Sequence, residues 1–301
     1  MTTTTATPRL QGIWLPLVTP FRDGELDETS LKRLVRHYAV QPVDGLILAA
    51  TTGEGLTLDE DETARLAAIV TAELGGRLPA WLGLSGSDTR KLTRALERTA
   101  AWPVDGYLIA CPYYTRPSQE GLFSHFASLA RDSDKPIAIY NIPYRTGINM
   151  SNETLLRLAA LPNIVGLKDC CADAAQSFDL IRARPPGFAV MTGEDALFYG
   201  ALTQGADGGI LAAAHVETRL FARVYNAMHG GNYGAALAVW RELVDLPRLL
   251  FAEPSPAPIK HWLWRAGLLD SPEVRLPMTG ISASLAARID AEIARRTSLA
   301  A

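Results

Sequence analysis

Eight short apolar runs recur between Gly12 and Leu211. They are Gly12–Leu17, Gly45–Ala50, Ala80–Leu84, Gly106–Cys111, Ile137–Tyr140, Ile164–Leu167, Ala189–Thr192 and Gly208–Leu211. Strands buried on both faces read this way, because neither face needs polar alternation. Longer stretches of helical period separate them. Asp27–Val40 opens on an aspartate suited to capping and places Leu31, Leu34, Val35 and Tyr38 on one face. Asp59–Leu74, Asp88–Ala101, Gln119–Arg131, Asn152–Ala160, Ala174–Ala183 and Ala196–Gln204 behave similarly. Strand and helix alternating at this spacing predict parallel β/α units, and eight units predict a closed (β/α)8 TIM barrel. The competing architecture, a doubly wound open sheet, is weakened because no Gly-x-Gly-x-x-Gly follows the first run.

About 90 residues follow the eighth run, too many for one closing helix. Tyr233–Leu250, Pro258–Ala266 and Ile281–Arg296 read as helices. The expected organisation is a barrel carrying the active site over residues 1–225, with a C-terminal helical extension over residues 226–301 packed on it. Trp240, Trp262 and Trp264 are expected to be core or subunit-contact residues rather than a ligand box.

Composition narrows the functional classes. A chain of 301 residues with 48% hydrophobic content can bury a large core, and a single α/β barrel fits that length. The formal net charge is -3, and no Lys/Arg run carries interleaved aromatics, so a small molecule is expected as partner rather than nucleic acid. Cys111, Cys170 and Cys171 are odd in number and two are adjacent. No disulfide framework is expected, which fits a reducing, cytoplasmic setting. Met1–Arg9 is Thr-rich and lacks a basic segment followed by an apolar one, so it reads as a disordered lead-in rather than a signal peptide. No uninterrupted apolar stretch of about 18 residues is present, so no membrane span is expected.

Barrels of this kind carry their chemistry at the C-terminal ends of the strands. Thr51-Thr52-Gly53-Glu54 follow the second run, and Tyr113 and Tyr114 follow the fourth. Tyr140 closes the fifth, Lys168 closes the sixth, and Gly193 and Glu194 follow the seventh. Lys168 comes after Ile164-Val165-Gly166-Leu167, and apolar surroundings lower a lysine pKa. A neutral amine can attack a ketone to form an imine. Position alone leaves a second reading open, a lysine paired with Asp169. Tyr140 is either a proton carrier or a tyrosine packed at the rim. Thr51 and Thr52 offer two hydroxyls in a glycine-containing loop, which suits a carboxylate.

Taken together, these segments resemble the dihydrodipicolinate synthase/N-acetylneuraminate lyase superfamily from about Gly12 to Met278. The carriers are Leu17-Val18-Thr19-Pro20-Phe21, Thr51-Thr52-Gly53-Glu54, Pro112-Tyr113-Tyr114, Tyr140-Asn141-Ile142-Pro143, Gly166-Leu167-Lys168-Asp169 and Glu253-Pro254-x-Pro. The stretches Pro112–Gly121 and Pro143–Gly147 are most similar to the dihydrodipicolinate synthase branch. Arg145 matches the arginine that grips the carboxylate of aspartate semialdehyde there.

The resemblance implies that Lys168 forms a covalent imine with pyruvate and that no metal or other cofactor is needed. It implies that Tyr140 is the acid/base, and that Thr51 relays protons to a Tyr114 supplied by a neighbouring subunit of a homodimer or homotetramer. Thr51 and Thr52 hold the pyruvate carboxylate, while Gly193 and Ile210 line the substrate pocket. The implied reaction condenses pyruvate with L-aspartate semialdehyde. The alternatives are a pyruvate-dependent aldolase or dehydratase of a keto-deoxy sugar acid or related 2-oxo acid, and a non-catalytic barrel that senses a 2-oxo acid.

Several segments depart from the branch: Ala49-Ala50, Trp81–Gly86, Asp169-Cys170-Cys171-Ala172-Asp173 and Leu211–His215. Cys170 and Cys171 are read as small packing residues. His215 either touches substrate or caps a helix. The positions that supply a lysine-inhibitor pocket in sensitive members are Leu56, Glu60, Thr63, Ser87 and Lys91 here, so feedback by lysine is expected to be weak or absent.

Overall fold

The computed structural model describes residues 10–300, so the expected lead-in Met1–Arg9 lies outside the described residues. Eight parallel strands close into a barrel in sequence order: Gly12–Pro16, Gly45–Leu48, Ala80–Leu84, Gly106–Ala110, Ile137–Asn141, Ile164–Asp169, Ala189–Thr192 and Gly208–Ile210. The first pairs with both the second and the eighth. Each strand falls on one of the eight apolar runs. The sixth runs on to Asp169, so Lys168 lies within the strand, next to its end.

Two packed layers result. Inside the barrel, Trp14, Ile47, Trp81, Leu108, Ala138, Met191 and Ile210 form one cluster. The indoles of Trp14 and Trp81 meet edge to face with ring centroids 5.5 Å apart, the geometry their quadrupoles favour. Two large rings at one level require small neighbours. Gly45 is the register partner of Trp14, and a Cβ on it would lie 2.5 Å from the indole.

Outside the barrel, the helices bury their apolar stripes against the strands. Helix Glu28–Tyr38 buries Leu31, Leu34, Val35 and Tyr38, and its cap Asp27 accepts from the Ser30 N–H. Helix Glu60–Leu74 begins with a reciprocal Asp59/Glu62 capping box. The outer cluster runs without a break into Trp240, Leu250, Ile259, Trp262, Leu285 and Ile289 of the extension.

Three features differ from expectation. Helix Thr218–His229, which sequence did not mark, spans residue 225 and packs on Tyr233–Leu243. Tyr233–Leu250 is two helices, Tyr233–Leu243 and Asp245–Leu250. Pro247 supplies no N–H and its ring crowds the carbonyl four residues earlier, which favours a break there. The ribbon Phe21–Arg22/Glu25–Leu26 and the helix Pro143–Thr146 are too short to show a period. Trp240 and Trp262 are buried, whereas Trp264 is exposed. No described helix is long and apolar enough to cross a membrane.

The Trp14–Trp81 pair gives a stability test. Gly45→Ala should destabilise the fold by about 1–3 kcal/mol through overpacking, read from urea denaturation. A wild-type midpoint would show that the inner core has slack at that level.

Candidate active site

The side chain of Lys168 points inward because of an irregularity in its strand. Ile137 pairs with Ile164, but Ala138 pairs with Gly166, which leaves Val165 as an extra residue. A bulge of this kind re-phases the pleat. Ile164 and Leu167 therefore both pack in the outer layer, and Lys168 faces the interior. Its register partner is Tyr140, and its Nζ stands 4.2 Å from the centre of the Tyr140 ring.

Lys168 is 4% exposed. Burial lowers its pKa, opposed by Cys170, Asp195 and Glu194 and reinforced by the Arg145 charge. A larger share of neutral amine follows at a given pH. The pairing with Asp169 does not form. Asp169 accepts from the Cys171 N–H at 3.0 Å and from the Ser177 hydroxyl at 2.6 Å. Tyr140 is buried, and burial raises its pKa well above the ordinary phenol value, so it is a neutral proton donor beside the amine.

Gly193 and Ile210 close the same face. A Cβ on Gly193 would lie 2.4 Å from Cys170 Sγ and 2.5 Å from Lys168 Cε. The missing side chain is thus the space that the lysine occupies. Ile210 is buried in the inner cluster with Tyr140 and Cys170.

Thr51 and Thr52 lie on the turn after the second strand. The Thr19 hydroxyl donates to the Gly53 carbonyl at 2.6 Å, and the Glu54 N–H donates to the Thr51 carbonyl at 3.1 Å. Thr51 is exposed to a cavity of about 310 Å³, which Ala50, Gly83, Ser85 and Arg145 also line. Arg145 stands exposed on the helix Pro143–Thr146. Asn141 steadies that segment: its amide N–H donates to Asn149 Oδ1 at 2.8 Å, and its carbonyl oxygen accepts from the Met150 N–H. Among the described residues no carboxylate lies within ion-pair distance of Arg145, which leaves its guanidinium available to a ligand.

Tyr114 is not brought to this cluster. It is 93% exposed with φ +69°, and it lines a groove of about 650 Å³ with Ser87 and Lys91. No hydrogen bond joins Tyr140 to Thr51 among the described residues.

The residues left open by sequence now have places. His215 is a structural histidine. Its Nε2 accepts from the Val18 N–H at 3.3 Å, and Nδ1 lies 2.8 Å from the Ala212 carbonyl. Burial lowers its pKa to about 4, so the neutral form fits both partners, with Nδ1–H donating. Cys170 is buried with its thiol pKa pushed up well above the ordinary value by burial, and it borders Lys168 rather than only filling space. Cys171 is half-buried, its pKa pushed up by burial to about 11. Asp195 was missed from sequence. It is buried, accepts from the Ala213 N–H at 2.6 Å, and burial raises its pKa to about 7. Its one signal was an acid two residues past Gly193, the glycine that follows the seventh run.

A desolvated amine against a neutral phenol, at the C-terminal mouth of a (β/α)8 barrel, defines the lyase and synthase class that works through an amine nucleophile. The chain belongs to the dihydrodipicolinate synthetase family, whose model matches residues 9–295, and it is an enzyme of that family. It is 40% identical over 282 residues to 4-hydroxy-tetrahydrodipicolinate synthase 2 of Clostridium acetobutylicum, covering 94% of this chain and 99% of that one. The crystal structure of dihydrodipicolinate synthase from Aquifex aeolicus superposes with a TM-score of 0.92 at 30% identity, covering 95% of this chain and 98% of that one. The chloride-inhibited dihydrodipicolinate synthase of Acinetobacter baumannii, complexed with pyruvate, matches with a TM-score of 0.90 at 31% identity, covering 93% and 96%.

The contact at Gly193 predicts a defect confined to the site. Gly193→Ala should lower the rate of borohydride-trapped pyruvate adduct by about tenfold or more, with an unchanged far-ultraviolet circular dichroism spectrum. An unaltered rate would show that Lys168 has room to move aside.

Proposed function

We propose that this enzyme condenses pyruvate with L-aspartate semialdehyde to give 4-hydroxy-tetrahydrodipicolinate, on the route to diaminopimelate and lysine. The observation that carries the reading is the buried Lys168 amine held 4.2 Å from the Tyr140 ring centre. The neutral amine attacks the pyruvate ketone. Water leaves, and an iminium forms. Loss of a C3 proton gives the enamine, whose carbon attacks the aldehyde. The amino group of the new chain then closes on the former ketone carbon and displaces Lys168. No cofactor beyond the substrates enters this sequence.

Tyr140 gives and takes the protons at the imine. Thr51 and Thr52 hold the pyruvate carboxylate, and Gly193 and Ile210 shape the pocket around it. Arg145, unpaired and sharing the Thr51 cavity, takes the carboxylate of the semialdehyde with its planar fork. That carboxylate is what separates the proposed acceptor from a sugar-acid chain, which calls for hydroxyl partners.

Thr51 relays protons between Tyr140 and the partner subunit's Tyr114, so a homodimer is the smallest complete unit and a homotetramer its doubling. The support lies in Tyr114 itself, a large aromatic held exposed in a left-handed backbone conformation that a non-glycine residue rarely adopts. All three cysteines are free, Cys111 and Cys170 buried, and a cytoplasmic setting is the compartment that fits unpaired thiols.

The test begins with pyruvate and borohydride, with the adduct located by mass. It should fall on Lys168. A coupled assay with aspartate semialdehyde then reads the acceptor. Arg145→Ala should raise the KM for the semialdehyde by roughly tenfold or more and leave that for pyruvate nearly unchanged. Equal losses for both substrates would remove Arg145 from the acceptor site, and an adduct without turnover of the semialdehyde would point to the sugar-acid lyases. Lysine is expected to inhibit weakly or not at all, because Lys91 lines the groove beside Tyr114 and repels a cationic amino acid. Half-inhibition at sub-millimolar lysine would overturn that expectation.

A further inference from the structure

The turn Ala49–Gly55 is held in a shape that its own sequence does not favour. Ala49 and Glu54 both take left-handed backbone conformations, with φ +50° and +53°, and they bracket Thr51 and Thr52. Non-glycine residues persist there only where surrounding structure over-determines them. The surrounding structure comes from more than 200 positions away in sequence. Lys260, on the helix Ala257–Arg265, is 0% exposed. Its Nζ pairs with Glu54 Oε1 at 2.5 Å and donates to the Glu273 carbonyl at 2.7 Å. It also stands 4.3 Å from the centre of the Phe21 ring. The second oxygen of Glu54 accepts from the Arg275 N–H at 2.9 Å. The Arg275 guanidinium lies 4.2 Å from the same Phe21 ring, donates to the Thr57 carbonyl and pairs with Glu62.

We propose that Lys260 is a positioning residue: through Glu54 it fixes the Thr51–Thr52 turn in the conformation that receives the pyruvate carboxylate, and so makes the C-terminal extension part of the donor site. This rests on the reading of Thr51 and Thr52 given above. Lys260 is not a second imine lysine, since its nitrogen is enclosed and committed to Glu54 and Glu273. Nor does stability account for it well. A buried ion pair returns little net stabilisation over apolar residues of similar volume, because both charges are desolvated. What such a pair does supply is direction. The extension engages both oxygens of the Glu54 carboxylate, one through the Lys260 ammonium and the other through the Arg275 N–H, and the backbone of Glu54 is hydrogen-bonded to Thr51.

The test uses the full-length enzyme with Lys260→Met, with the double variant Glu54→Gln/Lys260→Met, in which neither charge is left buried alone, and with Thr52→Val as a check on the turn. Both Lys260 variants should raise the KM for pyruvate by about tenfold. The KM for the aldehyde should stay within about twofold, kcat should fall with the loosening of Thr51 on the same turn, and borohydride should still trap a full equivalent of pyruvate at saturation. A purely structural role would lower thermal stability and the yield of active enzyme while leaving the pyruvate KM where it was. A folded double variant with a parental pyruvate KM, alongside a Thr52→Val enzyme with a raised one, overturns the role of Lys260 alone. If Thr52→Val is also silent, the reading of the turn fails and takes this proposal with it. Failure of the double variant to fold assigns the pair to stability and overturns the proposal as well.

Discussion

Desolvation of one amine sets the terms for the rest of the site. A lysine at the end of a barrel strand would ordinarily carry its charge into water. Here the extra residue at Val165 turns Lys168 into the interior, and the inner core beneath it is filled by Trp14 and Trp81. The barrel therefore offers the amine no water from below and only a narrow mouth above. Removing solvent disfavours the ammonium, and the acids nearby limit the effect. Asp195 and Glu194 act on Lys168 in the opposite direction, and burial raises the pKa of both, that of Asp195 to about 7. Burial moves the amine and its acids away from their water values, and their opposite charges draw one another back toward them.

The residues around this cluster divide by how they are held. Tyr140, Lys168 and Ile210 belong to strands, with Gly193 directly after one, and their positions follow from register and pleat. Thr51, Thr52 and Arg145 belong to turns and a four-residue helix, and need other structure to fix them. The segment Leu17-Val18-Thr19-Pro20-Phe21 serves that purpose. Val18 engages His215, Thr19 holds the Gly53 carbonyl, and Phe21 lies under two cations of the extension. A stretch that carries no reactive group thus joins three parts of the molecule near the mouth.

This division explains what sequence alone made visible. The eight strands were legible because a parallel barrel buries both faces of each, which turns position into composition. Lys168 and Tyr140 were legible because a reactive group at the end of an apolar run is conspicuous. The helix Thr218–His229 and the break at Val244 went unseen because period locates a long apolar stripe better than the ends of the helices that share it. Lys260 was invisible as a polar participant. It lies in the run Ala257–Leu263, where a single lysine reads as the solvent face of a helix, and the carboxylate it meets is more than 200 residues away. Ion pairs set by tertiary packing leave no local period. Cys170 shows the opposite limit: as a small residue it was assigned to packing, and only the register placed its sulfur beside Lys168.

The same division bears on how specificity is distributed. Chemistry at the donor carbon depends on distances set by backbone hydrogen bonds between adjacent strands, which do not shift without disrupting the barrel. In the proposed reaction the acceptor meets Arg145 on the helix Pro143–Thr146, and Asn141 and Gln176 hold the segment just after it at Asn149 and Met150 through side-chain amides. Loops on a rigid scaffold are where recognition varies at least structural cost. A change of acceptor therefore requires no change at Lys168 or Tyr140, only a different group where Arg145 stands. On the proposed reading, the guanidinium is thus the part of the site that speaks for the aldehyde, and the buried amine is the part that speaks for the ketone.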